Sequence, residues 1–596
     1  MGSPPMSASR QGYLERLDGL KQQYDRQLRR LRWLALVRVF TFLAAASCGY
    51  MAFTRHGAFA IGCLLLLALF AWMVGRYEDW KYTLRKLREL RRLNETEIRA
   101  LELEFSDLPD GGRFRDASHA FSEDLEIFGP GSFFQYMNRC GLEPGESQLA
   151  AWLTDNEPGD VPAKQEAIRE LAPQAGWRQD FYATGKLSGP EIRLEPILDW
   201  LEGYRHFTPS YFRFVPYAFA LLSVLILAGY FSGMVTGWVL GGIFLSGLGI
   251  CGLYLGRVGR LAADVARVQS VFEPCSRLVA KIEAHEFKAG LLQELKQGLA
   301  AEGTPVSARL REFSRYLAAL DNRNNLLVAL FGNGFLLWDL MQSRNIENWI
   351  AENGRDVRSW FECISAMDAW CSLGNFAFNH PGYAYPRLAT GQGVIRAQAL
   401  AHPLLQAAGR VANDFAIDWG NFHVITGANM AGKSTFLRTL SLAMVMANCG
   451  LPVCAAEFTY SPLPLVSSMR TSDSLARSES YFFAELKRLQ FLVATLEERP
   501  CFVVLDEILK GTNSTDKARG SRLFLQRLVR SGATGVIATH DLSLCEVADT
   551  EPRVANWHFD AEVRGGELYF DYRLKPGICT GMNASFLLRK MGIVDE

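Results

Sequence analysis

Residues 423–440 read HVITGANMAGKSTFLRTL, an apolar run that halts at a glycine, crosses a short turn and restarts with helical spacing. Within it Gly427, Gly432, Lys433 and Ser434 satisfy G-x-x-x-x-G-K-[ST]. Each residue type has a physical reason to be there. Glycines let backbone N–H groups close on phosphates at a helix N-terminus, lysine supplies a point cation, and the serine hydroxyl ligates Mg2+. The spacing predicts a strand, a phosphate loop and a helix, with Gly427, Ala428, Asn429, Met430, Ala431, Gly432, Lys433, Ser434 and Thr435 around ATP.

Two further stretches extend this reading. Residues 501–507 (CFVVLDE) form a buried-strand pattern that ends in two carboxylates. In phosphoryl-transfer sites a strand-end aspartate holds Mg2+ and a following glutamate polarises water, which makes Asp506 the metal partner of Ser434 and Glu507 the general base. Residues 535–540 (GVIATH) form another apolar strand ending in His540, at the sheet edge where a γ-phosphate would be sensed. Lys433, Glu507 and His540 are the candidate catalytic residues of an α/β P-loop ATPase domain.

The rest of the chain has a different character. Its 596 residues allow roughly three to five domains. Lys plus Arg (63) balances Asp plus Glu (63) and 49% of residues are hydrophobic, which excludes a disordered polyelectrolyte or a uniformly basic chain. Twelve cysteines without a CxxC pair or zinc spacing read as reduced thiols of a cytosolic or membrane protein. Four apolar runs (33–53, 57–75, 214–234 and 236–255) approach the roughly 20 residues that cross a bilayer, and they fall into two tight hairpins. Arg38 interrupts the first run and has a stem long enough to snorkel. Arg26, Arg29, Arg30 and Arg32 precede the first hairpin, Arg76, Lys81, Arg85 and Lys86 follow it, and Arg257 and Arg260 follow the second. The positive-inside bias then predicts a multi-pass protein of the bacterial inner membrane with both termini and the ATPase cytoplasmic. About thirty polar and charged residues before the first run argue against a cleaved leader. Apolar positions in the basic flanks recur with helical spacing (Leu17, Tyr24, Leu28, Leu31; Leu84, Leu87, Leu90, Asn94, Ile98), predicting helices that continue the spans and rest on anionic headgroups.

TGANMAGKST, LDEILKGTNSTD and ATH, in that order, resemble the ATPase domain of the MutS mismatch-repair family. Residues 472–486 (SDSLARSESYFFAEL) are similar to the family segment that reaches across a dimer to the partner's nucleotide. On that resemblance Ser480 is the trans nucleotide contact, Phe482 its aromatic and Glu485 its glutamate, while Glu479 replaces the usual arginine. His402, Pro403 and Asn413 match the strand before the loop. Arg410 and Val411 stand at the adenine clamp, where the resemblance implies an aromatic and an aliphatic residue, so the Arg410 plane is expected to stack on the base. Residues 568–577 (LYFDYRLKPG) resemble the strand and turn that close the domain. Residues 132–139 (SFFQYMNR), then 165–171 (QEAIREL), resemble the start of the family's helical core, and 366–376 (AMDAWCSLGNF) the helix that ends it. No segment resembles the Phe-x-Glu mismatch wedge, and room is lacking after the ATPase for the family's helix-turn-helix or an Smr nuclease.

The expected organisation is a basic amphipathic helix (1–32), a transmembrane hairpin (33–75), a basic helix and linker (76–125), the core start (126–213), a second hairpin (214–256), a helical lever (257–390) and the ATPase domain (391–596). The function so implied is a membrane-anchored ATPase that homodimerises through its ATPase domains and binds DNA as an ATP-driven clamp. A membrane scaffold or signalling ATPase acting on a protein is the alternative. A transporter ATPase of the ABC kind is disfavoured because no LSGGQ precedes Cys501, Ile508 follows Glu507, and only 73 residues separate Lys433 from Asp506.

Overall fold

The computed structural model describes residues 8–55, 57–187, 194–300, 303–469, 481–510, 513–564 and 567–579. Helices make up most of the first two thirds of the chain, and strands alternate with helices in the last third. Two long helices come first. α1 (Ala8–Thr54) and α2 (Phe59–Leu101) run antiparallel, with Phe42 against Phe70 and the Thr41 hydroxyl near Met73. Their adjoining apolar halves point outward: Trp33 and Phe40 are each 70% exposed. Among the described residues, these two helices alone are individually long and apolar enough to cross a membrane. Arg38 places its guanidinium 4.5 Å from the ring centroid of Tyr77.

The basic halves meet protein. Leu20, Leu87 and Leu90 close on Ala183, Asn94 exchanges hydrogen bonds with Gln179 at 3.0 and 3.1 Å, and Lys86 pairs with Asp180 at 2.5 Å. These helices do continue the apolar segments, but their buried stripe rests on the helical core and not on headgroups, because its leucines and Asn94 find partners there. Deeper still, Glu97 is fully buried and ion-paired with Arg139, whose side chain is 7% exposed. Asn379 donates to the second Glu97 oxygen at 2.7 Å, and the Tyr13 hydroxyl donates to Asn379 at 2.7 Å.

The second apolar pair differs from expectation. α3 (Val215–Phe231) and α4 (Gly237–Leu253) have 17 residues each, and α4 meets the following helix, Leu255–Ala284, at 69°. The runs 214–234 and 236–255 are therefore not two full-length spans. Gly233, at φ 76°, turns the chain out of α3, and the bend at Tyr254 ends α4. Packed on this pair is a third apolar piece, a π-helical turn at Val328–Gly332 followed by Asn333–Leu336. The approach is close: a Cβ on Gly247 would lie 2.3 Å from the Gly334 carbonyl oxygen. At nine residues the piece is too short to register in a bilayer-length window, so by sequence it is part of the expected lever.

Two further helices, α5 (Trp338–Asn353) and α6 (Val357–Asn379), complete the centre. On α6 the Asp368 carboxylate accepts from the backbone N–H groups of Gly141 and Leu142 at 3.0 and 2.9 Å, at the start of the helix Glu143–Thr154. Burial pushes this carboxyl up to about 7. Ser372 bridges the Arg139 N–H and the Met137 carbonyl, each at 2.9 Å, so residues 132–139 and 366–376 are laced together.

The C-terminal part holds two sheets. β1 (Arg387–Leu388), β2 (Gly393–Leu400), β3 (Asn413–Asp418) and β5 (Glu457–Tyr460) form one, in the order β1-β5-β2-β3. The other contains β4 (Phe422–Gly427), β6 (Leu465–Ser468), β7 (Phe502–Asp506), β8 (Thr534–Ala538), β9 (Val554–Arg564) and β10 (Glu567–Pro576), in the order β10-β9-β4-β8-β7-β6. All its pairs are parallel except β10 with β9. Every residue of β4 and β8 is buried, as near-continuous apolar strands covered on both faces should be.

Removing one partner of a buried ion pair leaves an uncompensated charge and costs about 3–5 kcal/mol. Glu97→Ala is expected to lower the thermal midpoint of the detergent-solubilised protein strongly, and Glu97→Met with Arg139→Leu to lower it much less. Equal midpoints for wild type and Glu97→Ala would remove this pair from the framework.

Candidate functional site

The predicted phosphate loop lies between β4 and α7 (Lys433–Asn448). Gly427 ends the strand at φ 150°, and a Cβ there would come 2.7 Å from the Phe559 carbonyl on the adjoining strand. Gly432 caps the helix in the left-handed region at φ 102°. Both positions thus need glycine for a conformational reason. Lys433 folds back over the loop: its Nζ donates to the carbonyls of Gly427 (2.8 Å) and Ala428 (3.0 Å) and lies 3.3 Å from His540 Nε2. Burial lowers its pKa, against the opposing fields of Glu507 and Asp506.

The other candidates converge from neighbouring parallel strands. Asp506 ends β7, and His540 follows β8 by two residues. Burial raises the Asp506 carboxyl pKa, while a hydrogen bond with Ser434 pulls it down. These two adjacent oxygen donors suit Mg2+, which takes one or two protein oxygens and completes its shell with phosphate and water. Glu507 lies 2.6 Å from His540 Nε2, and that hydrogen bond holds its carboxyl down at about 2. Glu507 has a φ of 49°, in the left-handed region. On α8 (Tyr481–Glu498), Glu485 accepts from the backbone of Leu509 and Lys510 at 2.5 and 3.0 Å, fixing the turn after Glu507. Ser480 lies outside the described residues.

A cavity of about 510 Å³ joins these groups to a second wall containing His402, Leu405, Val411 and Tyr572. Asn429, Met430, Ser434 and Thr435 line it, as do Lys433, Glu507 and His540. Arg410 is turned elsewhere: it donates to the Tyr383 hydroxyl at 3.3 Å, and it is Val411 and not Arg410 that faces the cavity. In this arrangement the partly buried Tyr383 phenol holds Arg410, which does not line the cavity. Tyr572 is the residue that sequence reasoning missed. It has φ 52° where the β9–β10 register shifts between Phe570 and Leu574, and a Cβ on Gly432 would lie 3.1 Å from its ring. Asn413 holds this bulge by donating to the Tyr572 carbonyl (3.1 Å) and accepting from the Leu574 N–H (2.7 Å).

A family model described as MutS domain V matches residues 423–589, which include the loop, Asp506, Glu507 and His540. Over these residues the chain is similar to proteins of the MutS family. It is 29% identical over 292 residues to a DNA mismatch repair protein MutS of Oleidesulfovibrio alaskensis, covering 47% of this chain and 31% of that protein. It is 28% identical over 254 residues to a DNA mismatch repair protein MutS 2 of Halobacterium salinarum (42% and 29% covered). To a DNA mismatch repair protein MSH4 of Arabidopsis thaliana it is 31% identical over 202 residues (33% and 25% covered). The chain thus spans less than a third of the length of each of these MutS relatives.

An aromatic face against a nucleobase contributes about 1–3 kcal/mol. Tyr572→Ala is expected to weaken binding of a fluorescent ATP analogue about tenfold or more, and Arg410→Ala to leave it nearly unchanged; the reverse ranking would return the base to Arg410.

Proposed function

We propose that this chain is a membrane-anchored, Mg2+-dependent ATPase of the P-loop class that dimerises through its nucleotide sites and acts as an ATP-driven clamp on DNA. The observation that carries the reading is the convergence of Lys433, the Ser434–Asp506 pair, Glu507 and His540 at the carboxyl ends of β4, β7 and β8. Open parallel sheets bind their ligands at that edge. Lys433 and the N-terminus of α7 attract the phosphates. Bound at Ser434 and Asp506, Mg2+ would neutralise charge during transfer. Glu507 is ionised and orients the attacking water, and His540 sits between Glu507 and Lys433 to register the phosphate. Val411 and Tyr572 form the wall for the base. α1 and α2 anchor the chain in the bilayer, with α3 and α4 as a shorter membrane-associated pair. The DNA part rests on the relatives' description as mismatch repair proteins and on no feature of the described residues. Dimerisation rests on Ser480, whose role exists only in trans.

One observation favours the protein-directed alternative. Several basic residues of the α2 flank are already paired with acids, Lys86 with Asp180, Arg91 with Glu95 and Arg99 with Asp107. That leaves the flank less free for phosphates than its composition suggests.

Lys433→Ala is expected to abolish ATP-analogue binding, and Glu507→Gln to retain it while hydrolysis drops by about 10²-fold or more. Normal turnover in Glu507→Gln would overturn the base assignment, and an ATPase rate independent of concentration and insensitive to Ser480→Ala would overturn the dimer. The DNA reading is tested with homoduplex, mismatched and branched DNA across a salt series. ATP-dependent binding with a steep salt slope is the expected result, and no binding at low salt favours a protein partner.

A further inference from the structure

A second cavity, of about 450 Å³, opens where α3 leaves the helical core. One wall is a single helical face of α5, which presents Met341, Arg344, Asn345 and Asn348 at spacings of three, four and seven. The other wall is the turn into α3, with Phe212, Arg213, Phe214 and Tyr217. Two arginines and two carboxamides thus face a space with no carboxylate in its lining. The nearby acid, Glu347, lies outside that lining and is spent on the Phe207 and Thr208 backbone N–H groups at 2.7 and 3.2 Å and on the Thr208 hydroxyl, which Arg344 also reaches. Arg344 has unspent donor capacity: its Nη1 makes long contacts of 3.3 and 3.5 Å to Thr208, and its Nε is buried without a partner. Among the described residues Arg213 has no hydrogen bond or ion pair, and its guanidinium lies 5.7 Å from the Phe214 ring centroid.

The aromatic wall continues outward. Phe214 (70% exposed), Tyr217 (57%), Leu221 and Leu225 recur along one face of α3, so the cationic pocket opens directly onto an apolar track. A soluble anion would have no use for that track. We propose that this cavity binds the phosphate headgroup of an anionic phospholipid, with Arg213 and Arg344 on the phosphate, Asn345 and Asn348 on its ester and glycerol oxygens, and an acyl chain along Tyr217, Leu221 and Leu225. Arginine is suited to the role because its planar fork matches phosphate oxygens, and basic pockets beside apolar helices on the cytoplasmic face recognise such headgroups. The site rests on the membrane reading given above.

The test uses the full-length chain purified in detergent. Native mass spectrometry during titration with phosphatidylglycerol or phosphatidylcholine reports retained lipid. Wild type is expected to retain phosphatidylglycerol at least fivefold more than phosphatidylcholine, and Arg213→Gln with Arg344→Gln to lose that preference. Arg257→Gln with Arg260→Gln, which alters basic residues on the flank of the other helix of the pair, is expected to keep it. Arg213→Gln alone, at an exposed position, should lower retention while leaving the thermal midpoint unchanged. Equal retention of the two lipids by wild type, unchanged retention in both arginine variants, or displacement of the lipid by millimolar inorganic phosphate would each overturn the proposal. Carbonate washing of membranes separates the two readings. A chain that washes off refutes the membrane reading, whereas a chain that stays and shows no lipid preference refutes only this site.

Discussion

The buried pair of Glu97 and Arg139 is the constraint on which the arrangement of the chain turns. A carboxylate with no exposure is tolerated only when every lone pair has a partner, and here the partners come from distant parts of the sequence: Arg139, and Asn379 at 2.7 Å. Tyr13 reaches the same Asn379, so α1, α2, the start of the core and the end of α6 share one polar knot. Slippage of α2 would strand the buried Glu97 charge and slippage of α1 the buried Tyr13 hydroxyl, which specifies the depth at which the two helices enter the core.

From that knot a chain of contacts leads to the nucleotide cavity. His380 follows Asn379, takes a hydrogen bond at 2.9 Å from or to Tyr136, and stacks on Tyr383 at 4.4 Å. Burial holds this imidazole down at about 3, so it is a neutral packing element at physiological pH. Tyr383 holds Arg410, which is followed by Val411 in the cavity wall. The two long helices and the cavity beside Lys433 are therefore linked by one chain of polar and ring contacts.

The site was legible where its chemistry is local. The loop from Gly427 to Thr435 lies between a strand and a helix, and the two strand-end acids and His540 are brought within reach of it, because strand, turn and helix signals occupy consecutive residues. Tyr572 was not legible, since it faces the loop only through a register shift that breaks strand alternation. The sequence position of Arg410 points to the cavity wall, while its hydrogen-bond partner, Tyr383, lies 27 residues earlier, where no local pattern reveals it. The short apolar piece at 328–336 escaped for a related reason: its nine residues mean little until they pack on Gly247 of α4.

The residues by themselves determined the α/β character of the last third, the strand, glycine turn and helix around Lys433 and the two long apolar helices, because periodicity, glycine placement and apolar length are properties of neighbouring residues. Tertiary structure decided what the flanking helices touch, how long the second apolar pair becomes, which side chains line the cavity beside Lys433 and where a cationic pocket opens beside α3. Those outcomes depend on buried polar groups finding partners far away in the chain, and no local pattern records which partner wins.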